Sequence, residues 1–161
     1  MQLGDTLRLQ AQTLYLQKRY PAAEAIIKAT LEIYRAGAGP TYVNYPTALV
    51  IQGLIYGQTG RTAEAEKLLR EAVQLRREQV DPSHFLHATA TGALGEFLTA
   101  QNRFAEAEPL LLASYESFRK SQSPESPRIR LARQRLVVLY ENWGKPGDAT
   151  AIANEPGRKR P

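Results

Sequence analysis

The sequence has no cysteine and only two histidines among its 161 residues, which narrows the chemistry open to it. Without cysteine there is no disulfide, no thiolate metal site and no cysteine nucleophile. A zinc site needs three or four ligands, and the only further candidate ligand close to His84 and His87 in the sequence is Asp81. We therefore predict a protein with no catalytic residues, no metal site and no cofactor.

Long apolar runs are missing as well. One of the longest, residues 136–140 (LVVLY), is far shorter than the roughly 20 apolar residues that cross a bilayer. The first ten residues contain an aspartate and an arginine where a secretory signal needs an uninterrupted apolar stretch. These absences predict a cytoplasmic protein that has no membrane partner.

The sequence contains an internal repeat with a period of 42 residues. Residues 61–69 (RTAEAEKLL) return as residues 103–111 (RFAEAEPLL), and residues 19–27 (RYPAAEAII) keep the same phase. Lys145 and Ala149 begin a fourth copy that is cut short. Repetition of this kind is typical of solenoid proteins. The predicted divisions are repeat 1 (1–42), repeat 2 (43–84), repeat 3 (85–126), partial repeat 4 (127–155) and a basic disordered tail (156–161).

Each repeat has the pattern of two antiparallel helices joined by a short polar turn. Apolar residues recur at helical spacing, and proline-rich segments at 81–83 and 123–127 separate the repeats. Ser126 followed by Pro127 is typical of a helix start. Pro109 fits a helix only if that helix begins near Phe104, so that the proline lies close to its first turn. No segment alternates as a strand would, and we predict an all-α fold.

A small residue, then an aromatic or a leucine three positions on, then an alanine recur in each repeat. Gly53, Tyr56 and Ala65 are followed one period later by Gly95, Leu98 and Ala107. These positions resemble the tetratricopeptide repeat (TPR), and the 42-residue period with its AEAExLL and DPxH-type segments resembles the kinesin light chain subtype. The resemblance implies a right-handed α-solenoid of antiparallel helix pairs with about three and a half repeats.

The same resemblance implies a non-catalytic scaffold for protein–protein interaction. Residues 110–149 also resemble the TPR arrays attached to bacterial serine/threonine protein kinases. The alternative is therefore a regulatory C-terminal segment of such a bacterial kinase or of a similar signalling protein. No glycine-rich loop and no HRD or DFG motif of a kinase is present in the 161 residues.

A concave face built from the first helix of each repeat is the partner-binding surface that the resemblance implies. Asparagines that often hold a bound peptide in the kinesin light chain subtype are replaced here by Val50-Ile51 and Gly92-Ala93, although Val50, Ile51 and Leu54 are equally open to a core role. An apolar middle between basic ends favours an amphipathic or extended protein segment with some acidic character. The implied partner-binding residues are Arg8, Gln12, Tyr15, Thr47, Val50, Ile51, Leu54, Thr89, Glu96, Gln134, Arg135 and Asn142.

Positive charge is concentrated in the last quarter of the chain. The formal net charge is +5, and residues 119–161 hold 10 basic against 4 acidic residues. Four arginines, Arg128, Arg130, Arg133 and Arg135, form either a solvated helix face or a basic docking patch for an acidic or phosphorylated partner. Nucleic acid is not favoured, because no aromatic platform accompanies these arginines.

Two other features have structural interpretations. His84 occupies a turn position that is Tyr42 and Ser126 in the neighbouring repeats, so we expect it to close the turn by hydrogen bonding. The first helix lacks a dedicated cap and carries Leu3 and Leu7. We therefore expect either a monomer or a weak homo-oligomer that associates through this N-terminal helix.

Overall fold

The computed structural model describes residues 2–155, so the predicted tail at 156–161 lies outside the described residues. Within this range the chain forms eight α-helices, one short 3₁₀ turn at Gly39–Thr41 and no strand, which confirms the all-α prediction. The helices are α1 (Gln2–Leu16), α2 (Tyr20–Ala36), α3 (Tyr45–Gln58), α4 (Thr62–Gln79), α5 (Phe85–Ala100), α6 (Phe104–Ser121), α7 (Pro127–Asn142) and α8 (Pro146–Ala153).

The helices are divided between two compact units, Met1–Gln79 and Val80–Pro161. Each unit consists of two helical hairpins, α1–α2 with α3–α4 in the first and α5–α6 with α7–α8 in the second. The first unit buries Ile27, Leu49 and Leu69, and the second buries Leu111 and Leu136. Each unit thus has its own apolar core between stacked hairpins, as expected of repeat proteins. The residue limits proposed above for each repeat stay a prediction.

The turn of every hairpin contains one residue in the left-handed backbone conformation. The first helices end at residues 16, 58, 100 and 142, and the second helices begin at 20, 62, 104 and 146. Inside each turn one residue has a positive φ, namely Lys18 (59°), Gly60 (82°), Asn102 (59°) and Gly144 (74°). The next residue donates its N–H to the carbonyl five positions earlier, at 2.8 to 3.0 Å in all four turns. This is the bonding of a Schellman-type helix end, repeated every 42 residues.

Two helix starts follow the chemistry expected from the sequence. The Ser126 hydroxyl caps α7 by accepting a hydrogen bond from the Arg128 N–H at 3.3 Å, and Pro127 is the first helical residue. Helix α6 begins at Phe104, which places Pro109 near its start. Both observations confirm the predicted boundaries.

Small residues allow the two helices of a hairpin to cross closely. A Cβ atom on Gly53 would lie 2.8 Å from Cγ of Leu69, and one on Gly95 would lie 2.7 Å from Cγ of Leu111. The close crossing predicted at these glycines is therefore confirmed. In the fourth hairpin the sizes are exchanged, because Val137 and Ala153 occupy the positions of Gly95 and Leu111.

This exchange generates a prediction about packing. Gly95→Val should destabilise the protein through overpacking by about 1–3 kcal/mol, and Leu111→Ala should do so through a cavity by about 2–5 kcal/mol. In the double variant the valine side chain can occupy part of the space vacated by Leu111, so it should lose less than the sum of the two single losses. Urea unfolding followed by circular dichroism measures the three free energies of unfolding. Gly147→Val, at a helical glycine with open space around it, is the control, and additive losses would contradict the interpretation.

A cluster around Asp5 ties α1 to the end of α2 and to the linker that follows. The Asp5 carboxylate accepts hydrogen bonds from the hydroxyls of Tyr34 (2.7 Å) and Tyr42 (2.5 Å) and from Nδ2 of Asn44 (2.8 Å). Burial alone would raise the pKa of Asp5, but these hydrogen bonds and the charge of Arg8 outweigh it and hold the pKa below its ordinary value. The Asp5 carboxylate is therefore ionised at neutral pH and accepts the hydrogen bonds that connect α1 to this linker.

The equivalent position in the second repeat holds a buried arginine. Arg76, one period after Tyr34, is 1% exposed and donates to Oγ1 of Thr47 (2.5 Å) and to the Val43 carbonyl (2.7 Å). Burial lowers the pKa of Arg76 to about 10, so the guanidinium stays charged at neutral pH. In the third repeat the position is Phe118, which is also buried. One site in the repeat thus holds three different side chains. Arg76 bonds to the linker directly at the Val43 carbonyl, whereas Tyr34 is connected to it through Asp5.

The Asp5 cluster predicts a pH-dependent stability difference. Asp5→Asn replaces one acceptor oxygen by an NH2 donor, which then faces either the Tyr42 hydroxyl at the Oδ2 position or the Tyr34 and Asn44 donors at the Oδ1 position, and it should lower the free energy of unfolding at pH 7 by about 1–3 kcal/mol. Since the folded-state pKa lies below the unfolded value of 3.8, this stabilisation is present above that value and is lost as the pH falls through the folded-state pKa. Urea unfolding at pH 7 and near pH 3 measures the difference between wild type and variant.

The exposed Glu71, changed to glutamine, provides the control for this measurement. A wild type–variant difference that is as large near pH 3 as at pH 7 would show that the Asp5 charge is not the stabilising element.

Candidate partner-binding groove

A groove of about 320 Å³ lies between α5 and α7 in the second unit. Successive lining residues are one, three or four positions apart along each helix, which places them along one side of that helix. This groove is lined by Glu96, Thr99 and Ala100 from α5 and by Leu131, Gln134, Arg135, Val138 and Asn142 from α7.

An ion pair between Arg135 and Glu96 joins the two sides of the groove. The Arg135 guanidinium donates to Oε2 of Glu96 from Nε at 2.8 Å and from Nη2 at 2.5 Å. The Arg135 side chain is 12% exposed and that of Glu96 is 48% exposed. Gly92 makes room for this contact, because a Cβ atom there would lie 2.9 Å from Nη1 of Arg135 and 2.7 Å from Oγ of Ser114. The arginine is thus held against α5 by an acid of the same unit.

Apolar surface and amide groups alternate along the α7 side. Leu131 and Val138 are 48% and 39% exposed and lie on the same face, since they are seven residues apart. Gln134 and Asn142 are also exposed, and their eight-residue separation corresponds to about 12 Å along the helix. Thr99 does not add a free donor, because its hydroxyl bonds to the Gly95 carbonyl at 2.9 Å. The arrangement suits an apolar anchor flanked by amides that can bind a peptide backbone.

The structure brings four of the predicted partner-binding residues together in this groove, namely Glu96, Gln134, Arg135 and Asn142. Thr89 is exposed elsewhere on α5, and its hydroxyl bonds to the Phe85 carbonyl at 2.8 Å. Leu131 and Ala100 were missed by the sequence reasoning. The seven-residue spacing of Leu131 and Val138 on a helix pattern is the signal that would have found the first of them.

In the first unit the predicted residues have varied surroundings. Val50 and Ile51 are 7% and 5% exposed, which corresponds to the core role left open for them, and Leu54 is half-buried. Thr47 is the hydrogen-bond partner of Arg76. These positions contribute to packing within the unit.

The three predicted residues of α1 differ in accessibility. Gln12 is exposed, and the Tyr15 ring lies 5.9 Å from that of Tyr20. Arg8 is half-buried, and its Nε has no hydrogen-bond partner among residues 2–155. Its charge acts on Asp5, whose pKa it helps to lower.

The four arginines of the predicted basic docking patch are not brought together as one surface. Arg128 is exposed and lies 5.0 Å from the centre of the Phe85 ring, and Arg130 is exposed. Arg133 is half-buried and hydrogen-bonds to Tyr115, while Arg135 pairs with Glu96. The seven-residue separation of Arg128 and Arg135 places them on one side of α7, and Arg130 and Arg133 lie on the other side, so the four do not share a face.

The histidine and glutamate patterns have structural explanations. Nδ1 of His84 accepts a hydrogen bond from the Leu86 N–H at 3.2 Å and caps α5, which confirms its predicted role in the turn. Glu106 lies in the first turn of α6 and pairs with Arg103 at 2.7 Å, and Arg61 and Glu64 repeat this contact one period earlier. In the part of the chain that the structure describes, no group of three or more histidine, aspartate or glutamate side chains is placed to hold a metal.

Helical hairpins on a 42-residue period, with a groove on the first helices, define the class of helical-repeat binding proteins. Family models described as tetratricopeptide repeat match residues 2–78 and 88–113. The chain belongs to the tetratricopeptide-repeat proteins, a class that serves as scaffolds for protein–protein interaction and is typically non-catalytic. None of the helices within 2–155 combines the length and the apolar character needed to cross a membrane.

Solved structures support the same fold. One solved structure contains TPR-like repeats of the kinesin light chain type from Podosopora anserina, repeats that are nearly identical to one another. Its sequence is 16% identical to this chain and its TM-score is 0.79, and the match covers 92% of this chain and 70% of that one. The Q17M variant of those repeats gives the same values. BtubC (BKLC) from P. vanneervenii is 14% identical with a TM-score of 0.79, covering 99% of this chain and 68% of that one. Among curated proteins no significant match was found.

Proposed function

We propose that this protein is a non-catalytic scaffold and that the α5–α7 groove holds an extended or amphipathic segment of a partner protein. The observation that carries the proposal is the alternation of exposed Leu131 and Val138 with the amides of Gln134 and Asn142 along one side of α7. Large apolar side chains left open beside hydrogen-bonding groups are typical of recognition surfaces. The groove volume of about 320 Å³ suits one or two apolar anchors.

The charge of the groove refines the kind of partner. Arg135, which we expected to meet an acidic partner directly, is already paired with Glu96. A partner carboxylate would have to replace Glu96, whose own side chain is 48% exposed and free to move aside. We therefore propose an apolar anchor as the main determinant, with an acidic residue of the partner near Arg135 as a secondary one. The alternative of a regulatory segment from a bacterial protein kinase stays a prediction, and no feature of the groove favours it.

Placing charges on the apolar row should weaken binding. Peptides enriched from a random phage-displayed library on the wild type are expected to bind the Leu131→Asp/Val138→Asp double variant at least about tenfold more weakly, which corresponds to about 1.4 kcal/mol. Fluorescence polarisation with labelled peptides measures the dissociation constants. Val43→Asp is the matched control, because Val43 is equally open to solvent at 48% but lies outside the groove.

Two outcomes would contradict the proposal. One is that no peptide is enriched on the wild type, and the other is that enriched peptides bind the double variant as tightly as the wild type. Circular dichroism of both variants checks that the helices are intact, which we expect because the substituted side chains are exposed.

Removing the Glu96 charge should favour acidic partners. Glu96→Gln leaves the Arg135 guanidinium without its carboxylate and should strengthen the binding of peptides that carry an aspartate or glutamate beside the anchor. The gain should shrink at high salt, since the contact is partly exposed. Titrations at low and high salt, with Glu71→Gln for comparison, measure it. Unchanged affinity for acidic peptides would remove Arg135 from the recognition surface.

A further inference from the structure

Three of the large apolar side chains most open to solvent lie on one helix. Leu3, Leu9 and Leu16 of α1 are 63%, 54% and 72% exposed. Leu7, which we had expected to share an interface with Leu3, is half-buried and turned towards the hairpin instead. Helix α1 therefore buries one face against its own unit and leaves a second apolar row uncovered.

This row has the spacing of a helix-pairing seam. Thr6, Leu9, Thr13 and Leu16, called the outer seam below, are separated by steps of three, four and three residues. In heptad terms the β-branched threonines take the a positions and the leucines take the d positions, a combination that favours two-stranded pairing. The seam is short, but α1 is already folded against α2, so pairing carries no cost of helix nucleation.

The threonines of the outer seam suit burial. The Thr6 hydroxyl donates to the Gln2 carbonyl at 3.1 Å, and the Thr13 hydroxyl donates to the Leu9 carbonyl at 3.0 Å. Both hydroxyl groups thus have an acceptor within their own helix. Covering the seam would leave neither of them without a hydrogen bond, so the usual penalty for burying a polar side chain is avoided.

The outer face of α1 also carries no charge. Asp5 and Arg8 are the charged residues of the helix, and Asp5 is engaged by the tyrosines of its cluster. The flanking positions Gln10 and Gln17 are neutral. In a chain with a net charge of +5, contacts between two copies are generally repulsive, whereas an uncharged seam meets its own copy without repulsion. Depletion of charge is also the compositional mark of an interface core.

The repeat register shows that this face of a first helix is one that another helix covers. In α3 the residues one period after Thr6 and Thr13 are Ala48 and Ile55, both fully buried within the first unit, in which α3 contacts α1, α2 and α4. In α7 the corresponding Ala132 and Leu139 are buried within the second unit, in which α7 contacts α5, α6 and α8. The geometry of a hairpin is therefore suited to helix packing on this side.

We infer that the outer seam of α1 pairs with the outer seam of a second copy of this chain and forms a homodimer. A two-fold axis makes the pairing self-complementary, with leucine against leucine and threonine against threonine in a side-by-side helix contact. The 15-residue helix is about 22 Å long, so the interface is small and the dimer weak, with a dissociation constant on the order of 10–100 μM. This association is independent of the α5–α7 groove.

Sedimentation velocity over a range of concentrations tests the inference. The wild type should shift from the 18.0 kDa monomer towards twice that mass as the concentration rises. Leu9→Asp/Leu16→Asp should stay monomeric at every concentration, because two charges would face two charges across the seam. Val43→Asp and the groove variant Leu131→Asp/Val138→Asp should dimerise like the wild type.

The absence of cysteine allows a second test by cross-linking. Leu9→Cys and Leu16→Cys each introduce a single thiol, and mild oxidation of a dimer should join two copies through the seam. The parallel pair that sets leucine against leucine places each cysteine opposite its own copy, so each variant should cross-link to itself, and cross-links that form only when the two variants are mixed would contradict this arrangement. Val43→Cys, exposed in the linker, should cross-link far more slowly.

Three results would overturn the inference. They are a wild type that remains monomeric up to several hundred micromolar, a dimer that persists in Leu9→Asp/Leu16→Asp, and a dimer that is lost only in the groove variant. The last of these would assign self-association to the groove, and the peptide-binding assay on the same variant would still report separately on the proposed function.

Discussion

The turn that closes each hairpin is the constraint on which the rest of the structure depends. A residue in the left-handed region reverses the chain at positions 18, 60, 102 and 144, and the following N–H satisfies a carbonyl of the preceding helix. The bonding pattern of the reversal is the same in all four hairpins. Glycine supplies this conformation at two of the positions, whereas Lys18 and Asn102 adopt it at a conformational cost of about 1 kcal/mol or more.

Once the turn is set, pairs of side chains of complementary size decide how closely the helices approach. Glycine against leucine at Gly53 and Gly95 brings the helices together, whereas at the corresponding positions of the fourth hairpin Val137 is half-buried and Ala153 is exposed. The groove of the second unit follows from this packing, since α5 and α7 present their faces at a distance that an arginine can span. Gly92 has a separate part in it, because the guanidinium of Arg135 lies where a larger residue would put its Cβ atom.

The sequence predicted the fold well because the period, the small residues and the proline positions are local signals that tertiary packing did not override. It predicted the site less completely. Glu96 and Arg135 were both expected on the inner face, but their mutual pairing depends on an inter-helix distance that no spacing within one helix reveals. Val50 and Ile51 carry the same apolar pattern whether they are buried or bind a partner, so the pattern could not separate the two roles. The arginines of α7 were grouped by composition, and only their positions around the helix show that they point apart.

The buried site that holds Tyr34, Arg76 and Phe118 in successive repeats bears on how such an array can change through evolution. Tyr34 requires the carboxylate of Asp5, Arg76 requires the Thr47 hydroxyl and the Val43 carbonyl, and Phe118 needs only apolar surroundings. Tyr34 and Asp5 both lie within residues 1–42, and Arg76, Thr47 and Val43 all lie within residues 43–84, so each predicted repeat carries both halves of its own pair. A whole repeat could therefore be duplicated or moved with its buried polar group still hydrogen-bonded, whereas exchanging the buried residue alone would leave a polar partner unsatisfied.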